Sequence, residues 1–215
     1  MSSTAELVEK PGKRSGTAIR AKGQKRVATI LEAARSILIE DGYTQFSLRN
    51  IASRAGIHLS NLQYYFRGKD ELIHGLMGFI ADEYAQNYHA MFSKMPEDPE
   101  QRLKAALDYL LTDIRNSKTR RFFIQFWALL ESSDAHSGVL LNKMYAMHIG
   151  TLCELISAVN PALSEGKLQQ RSAMVAAMIE GMMLMIDDAD EKLGKGEAVI
   201  EEEMKKQIFR IAMDS

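Results

Sequence analysis

The stretch from Ser47 to Lys69, SLRNIASRAGIHLSNLQYYFRGK, limits what the chain can fold into more than any other. It reads as two short helices joined by a turn. Helices that cross at a fixed angle need small residues at their closest approach, a residue that tolerates the turn's backbone, and branched apolar anchors on the second helix. Ile51 and Ala55 share one face of the first helix at i, i+4, Ala52 is small enough for close approach, and Gly56 stands at the turn. Ile57 and Leu62 carry the apolar side of the second helix inward. His58, Ser60, Asn61, Gln63 and Tyr64 are then left to point outward, a hydrogen-bonding set of the kind that reads a major groove.

Charge is unevenly distributed. Residues 1–70 hold 12 Lys+Arg against 6 Asp+Glu, whereas the remaining 145 residues hold 15 against 22. A basic head on an acidic body suggests a polyanion at one end only. The one cysteine, Cys153, cannot close an intramolecular disulfide, and no apolar run is long enough for a signal segment or a membrane span. Both features point to a cytoplasmic chain with no membrane partner. Cys153 itself lies in an apolar helical pattern and is expected to be a small buried hydrophobe. The sequence has no CxxC, HExxH, GxSxG or phosphate-cradling glycine loop, and its five histidines are scattered. No cofactor, no metal and no enzymatic role are therefore expected.

Along the chain, residues 1–19 carry few large apolar side chains and are expected to be a disordered tail, the alternative being that Lys10, Lys13 and Arg14 form a basic arm along phosphates or in a minor groove. Helical spacing of Val27, Ile30, Leu31, Ala34 and Leu38 predicts a helix over about 17–40, ending at Asp41-Gly42, with Arg20, Lys22, Lys25 and Arg26 placed to face DNA backbone or solvent. Ser47 suits the N-cap of the next helix, while His58 is a weaker cap for the one after it. A long helix follows, with Leu72, Ile73, Leu76, Met77, Ile80 and Tyr84 on its buried side. Asp98, Pro99 and Gln101 form a capping arrangement that opens the body. Its first helix carries Leu103, Leu107, Leu110, Leu111 and Ile114 and is expected to end in the polar NSKT stretch at 116–119. RRFFIQFWALLESS then reads as apolar on nearly all sides, hence central. Further helices are expected over about 137–159, 164–188 and 197–213, the last two separated by Gly194-Lys195-Gly196.

The run IASRAGI, the NL and YYF that flank Gln63, and a lysine three residues after Phe66 resemble the DNA-binding signature of the TetR family of one-component bacterial transcriptional regulators. The resemblance implies an all-α chain of about nine helices. Behind the arm at 1–19 it places a three-helix helix-turn-helix head over 20–68, a linking helix over 69–95, and a helical C-terminal ligand-binding and dimerisation domain over 96–215. In such proteins, movement of the linking helix by a ligand changes the separation of the two heads. The implied partner is a double-stranded DNA operator, contacted by Ser47, Arg49, His58, Ser60, Asn61, Gln63, Tyr64, Tyr65 and Lys69. Arg49 suits guanine O6 and N7. Gln63, where relatives most often have Tyr, suits adenine N6 and N7 or else faces solvent. Tyr64 is expected at phosphate, Tyr65 at phosphate or against the head, and Lys69 as a phosphate clamp at a helix N-terminus.

The same resemblance implies a small-molecule cavity in the body. Phe123, Phe126, Trp127, Glu131, Met144, Tyr145, His148 and Met178 are its expected lining, although such residues also make an ordinary core. The segment FWALLES is similar to that of the branch containing the repressor of the choline-to-betaine pathway. A homodimer is expected through the last two helices, with Met174, Met178, Gly181, Met182, Met185 and Ile208 at the contact. The implied function is a repressor that binds a partly palindromic operator as a dimer and is released by an unidentified small-molecule effector; the alternative is an activator, or a DNA-binding regulator without an effector.

Overall fold

The computed structural model describes residues 21–132, 137–185 and 197–214. Every regular element among them is helical: α1 (Ala21–Glu40), a short 3-10 turn (Tyr43–Gln45), α2 (Leu48–Arg54), α3 (Leu59–Tyr65), α4 (Lys69–Phe92), α5 (Pro99–Arg115), α6 (Ser117–Glu131), α7 (Ser137–Val159), α8 (Glu165–Met185) and α9 (Glu197–Met213). The expected basic arm, Arg20, His136 and the Gly194–Gly196 loop lie outside the described residues. Two compact units divide the chain, one comprising 1–87 and 125–140, the other 88–124 and 141–215. The helices α4, α6 and α7 contribute residues to both.

The first unit is built on the apolar face that the spacing in α1 predicted. Ile30, Leu31, Ala34, Ile37 and Leu38 are buried with Ile51 and Ala52 of α2, Leu62 of α3, and Leu72, Ile73 and Leu76 of α4. Met77 and Tyr84, expected on the same side of α4, are only half-buried. Arg35 of α1 ties to Glu83 of α4 through two hydrogen bonds, at 2.7 and 3.4 Å. Gly75 matters for a different reason. A Cβ there would lie 2.6 Å from Cε1 of Phe66, so the missing side chain of α4 is what lets the Phe66 ring approach it so closely.

In the second unit, α5 opens as its sequence indicates, with Gln101 N–H donating to the Asp98 carboxylate at 2.9 Å and Pro99 in the first turn. Its end corrects the sequence reading. The NSKT stretch is no loop: α5 stops at Arg115, α6 begins at Ser117, and only Asn116 stands between them. The buried Arg120 closes this junction by donating to the carbonyls of Ile114 (3.3 Å) and Arg115 (2.6 Å). A polar tetrapeptide that reads as a breaker is thus the first turn of a helix, since the carbonyls it leaves behind have a guanidinium to bind. Nor is α6 apolar all round; it buries Phe122, Phe126, Leu129 and Leu130 and exposes Arg121 and Ile124. Asn160, after α7, donates its side-chain amide to carbonyls at the end of α9, including that of Asp214 at 3.1 Å. Cys153 is half-buried rather than buried.

The face that α8 turns inward also differs from the expected one. Ser172, Val175, Ala176, Ile179, Met182 and Met183 are buried, while Met174, Leu184 and Met185 are exposed. Each i+4 step overshoots a full turn by about 40°, so two such steps from Met174 carry Met182 round to the core side. Met182 and Ile208 were both expected at a dimer contact; the chain's own core takes them instead, at 4% and 0% exposure.

Candidate nucleic-acid interface

α2 and α3 span seven residues each, too short to hold themselves in water, so their geometry has to be imposed by neighbours. Ser47 caps α2 as its sequence suggests, its Oγ accepting from Asn50 N–H at 3.2 Å. The far end of α2 closes in a left-handed turn. Gly56 has φ +64°, Ile57 N–H donates to Ala52 O at 3.0 Å and Gly56 N–H to Ser53 O at 3.1 Å. This paired 6→1 and 5→2 pattern satisfies the orphan carbonyls and aims the chain into α3. Arg54, at the last position of α2, reaches Ser36 Oγ, Glu40 and Asp41 on and just after α1, each at 2.6 Å. Leu62, wholly buried, and Phe66, lodged over Gly75, anchor α3 from beneath.

On that base the expected DNA-contacting residues separate cleanly. Arg49, His58, Ser60, Asn61, Gln63, Tyr64 and Lys69 are all exposed, Tyr64 at 79%. Ser47 is half-buried and engaged as the cap. Tyr65 is half-buried too, its ring meeting that of Tyr64 edge to face at 5.1 Å. His58 stands at the N-cap of α3 without a side-chain cap hydrogen bond. Lys69 opens α4, but two carboxylates share its turn: Asp70, and Glu71, which accepts from Arg67 N–H at 2.7 Å. The positive field there is smaller than the lysine alone suggests. Lys25 and Arg26 of α1 are also exposed.

This head matches the family described as bacterial regulatory proteins, tetR family, over residues 30–76. Residues 30–76 are thus a TetR-family DNA-binding domain. Among curated relatives, an uncharacterised helix-turn-helix-type regulator from Xanthobacter autotrophicus is 28% identical over 74% of this chain and 79% of its own length. The helix-turn-helix-type regulator BetI of Yersinia pestis is 24% identical over 80% of this chain and 85% of its own. The fold is also that of a protein from Saccharomonospora viridis, described as a transcriptional regulator and solved in complex with choline. That structure superposes with a TM-score of 0.67 at 16% identity, covering 86% of this chain and 96% of the other. The exposed row on α3 lies within the matched segment.

The residues expected to line an effector cavity are divided between the units. Phe126, Trp127 and Glu131 belong to the first, and Phe123, Met144, Tyr145, His148 and Met178 to the second. Phe126 is enclosed, while Glu131 is exposed. In the second unit, Tyr145 of α7 is hydrogen-bonded to Glu180 of α8. Burial pushes the Glu180 carboxyl up to about 7, offset in part by that hydrogen bond. Burial also raises the Tyr145 phenol, with Glu180 adding to the effect, and holds His148 below its usual range, hence neutral near pH 7. Sequence reading missed Arg54, Gly75 and Glu180. Each acts through a partner distant in sequence, and nothing in local spacing marks it. No group of three or more metal-ligating side chains converges among the described residues, and no helix among them is long and apolar enough to cross a membrane.

Proposed function

We propose that the protein is a ligand-responsive repressor that binds a partly palindromic operator as a homodimer and leaves it when a small-molecule effector binds. The observation that carries this reading is the row His58, Ser60, Asn61, Gln63 and Tyr64, exposed on and at the start of a short helix whose anchors beneath are buried. Such a surface has hydrogen-bonding groups for base edges and a fixed angle from which to present them. Two copies joined through the exposed Met174, Leu184 and Met185 side of α8, with α9, set two such helices about one DNA turn apart. The segmentation into an arm, a head over 20–68, a linking helix and a body over 96–215 belongs to this reading, as does action in the cytoplasm, where the DNA is.

For the effector, the S. viridis neighbour supplies a starting compound, choline, and the similarity of FWALLES to the branch containing the repressor of the choline-to-betaine pathway points the same way. Tyr145 and Glu180 offer a polar pair to a small cation, with His148 and Met144 on the same helix as Tyr145. Linkage then requires that whatever weakens DNA binding be weakened by DNA to the same degree. The test starts with sheared DNA from the source organism, incubated with the purified protein at near-physiological salt, and sequencing of what stays bound. A short inverted repeat upstream of a few genes is the expected result, with affinity for it lowered at least about fivefold by the effector. Diffuse recovery without a motif would overturn operator binding. A motif whose affinity no small molecule shifts, choline first, would leave a DNA-binding regulator without an effector.

A further inference from the structure

Gln125 lies on α6 between the side chains expected to wall an effector, yet its own side chain serves the head. Its Oε1 accepts from the backbone N–H of Tyr43 at 2.9 Å, across 82 positions of sequence. Tyr43 is the first residue of the 3-10 turn that leads from α1 to α2. The same oxygen would lie 3.1 Å from a Cβ at Gly42, whose φ of +84° already favours glycine. Helix and loop therefore meet backbone to side chain with no room for an intervening group. From the turn a second polar link continues. Asn50 of α2 donates its side-chain amide to Gln45 O at 2.9 Å, and Asn50 adjoins Arg49 on the DNA-facing surface. The line Gln125, Tyr43, Gln45, Asn50 runs from α6 to α2 by hydrogen bonds and one turn of rigid backbone.

We infer that Gln125 is a positioning residue: it couples the setting of α6 to the setting of the helix-turn-helix by holding the Tyr43 amide. The inference rests on the proposed response to an effector, whose expected lining includes Phe123, Phe126 and Trp127 of α6, and adds a second connection to the one expected of the linking helix. A simple structural role, the satisfying of one amide at the start of a 3-10 turn, needs no such partner, because water can serve an exposed turn equally well. Coupling requires a rigid contact whose two sides move together.

Trp127, the chain's one tryptophan, stands two residues beyond Gln125 on α6 and reports that helix by its fluorescence. The full-length protein is titrated with the DNA fragment it retains most tightly from sheared source-organism DNA, and emission is followed. In the unaltered protein DNA binding is expected to shift Trp127 emission. Gln125→Leu should bind the same DNA within about threefold yet lose more than about half of that shift, with faster hydrogen exchange at residues 43–46. Gln125→Glu, which keeps an oxygen acceptor, should restore the shift. If Gln125→Leu melts early, Gln125→Met makes the same deletion with a more flexible side chain. An emission shift unchanged in the Leu or Met variant, or absent from the unaltered protein, overturns the coupling. No effector enters this experiment, so its failure is separate from failure to find a small molecule that alters DNA affinity.

Discussion

α3 and α8 each leave a row of side chains exposed, and they are built in opposite ways. α3 has seven residues and no side chain capping its start, and takes its angle from a wholly buried Leu62, a ring seated over a glycine, and a left-handed turn before it. α8 has 21 residues and exposes methionines, Leu184 and half-open Gly181 along a continuous helix. Under the proposed function, the difference follows from what each row is to meet. Base edges offer donors and acceptors at fixed positions, so the reader must be rigid from beneath. A second copy of a helix can repack, and unbranched thioether side chains repack most easily.

The largest effect should come from taking away the anchor of α3. Leu62→Ala is expected to cost about 2–5 kcal/mol in the first unit and to abolish DNA retention. Urea unfolding with filter binding measures both, and unchanged DNA binding would mean that α3 is not held from beneath. On α8 the corresponding change is Gly181→Asp. Nothing lies within 4 Å of a Cβ at Gly181, so the single chain has room for the new side chain. A carboxylate buried unpaired in a dimer seam costs several kcal/mol, so the dimer dissociation constant should rise by at least about a hundredfold. Sedimentation that still shows a dimer would place the seam elsewhere.

Smaller effects sharpen the contrast. Gln63→Ala should lose about 1–3 kcal/mol on the operator and little on unrelated DNA; an equal loss on both would make Gln63 a bystander. Lys69→Ala should weaken all sequences alike and reduce the salt slope by about 1. The smallest expected change is at Glu180. Its folded carboxyl titrates at about 7 against 4.5 for the free group, so the fold holds the proton more tightly than the unfolded chain. Its contribution to stability is complete below about 4.5 and lost as pH rises through about 7. Glu180→Gln should thus leave stability at pH 4 unchanged and raise it at pH 8, by at most about 1 kcal/mol once solvent screening of this half-exposed group is allowed for. Parallel melting curves at the two pH values give the answer, and equal shifts at both would assign the effect to packing.

What the sequence disclosed was local. Ser47, Gly56, Leu62 and the Asp98-Pro99 start could be read because caps, left-handed turns and apolar periodicity depend on neighbours within four or five positions. Residues that act over distance stayed hidden. Arg54 with Glu40 and Asp41, Phe66 over Gly75, Arg120 on the end of α5, and Gln125 on Tyr43 become visible only when helices are in place. On α8, Met174 and Met185 are exposed while Met182 is buried, because a pattern counted in fours drifts around the helix.

Arg54 has a consequence for how any salt titration of this protein is to be interpreted. Its guanidinium, about one-third exposed, holds α2 to α1 through two carboxylates, so added ions act on the clamp as well as on the phosphates. The fall in DNA affinity with ionic strength then contains a loosening of the reader itself, and a phosphate count taken from the slope will run high. Arg54→Leu should bind more weakly in dilute buffer and follow a shallower line, which would separate the protein's own electrolyte sensitivity from that of the DNA.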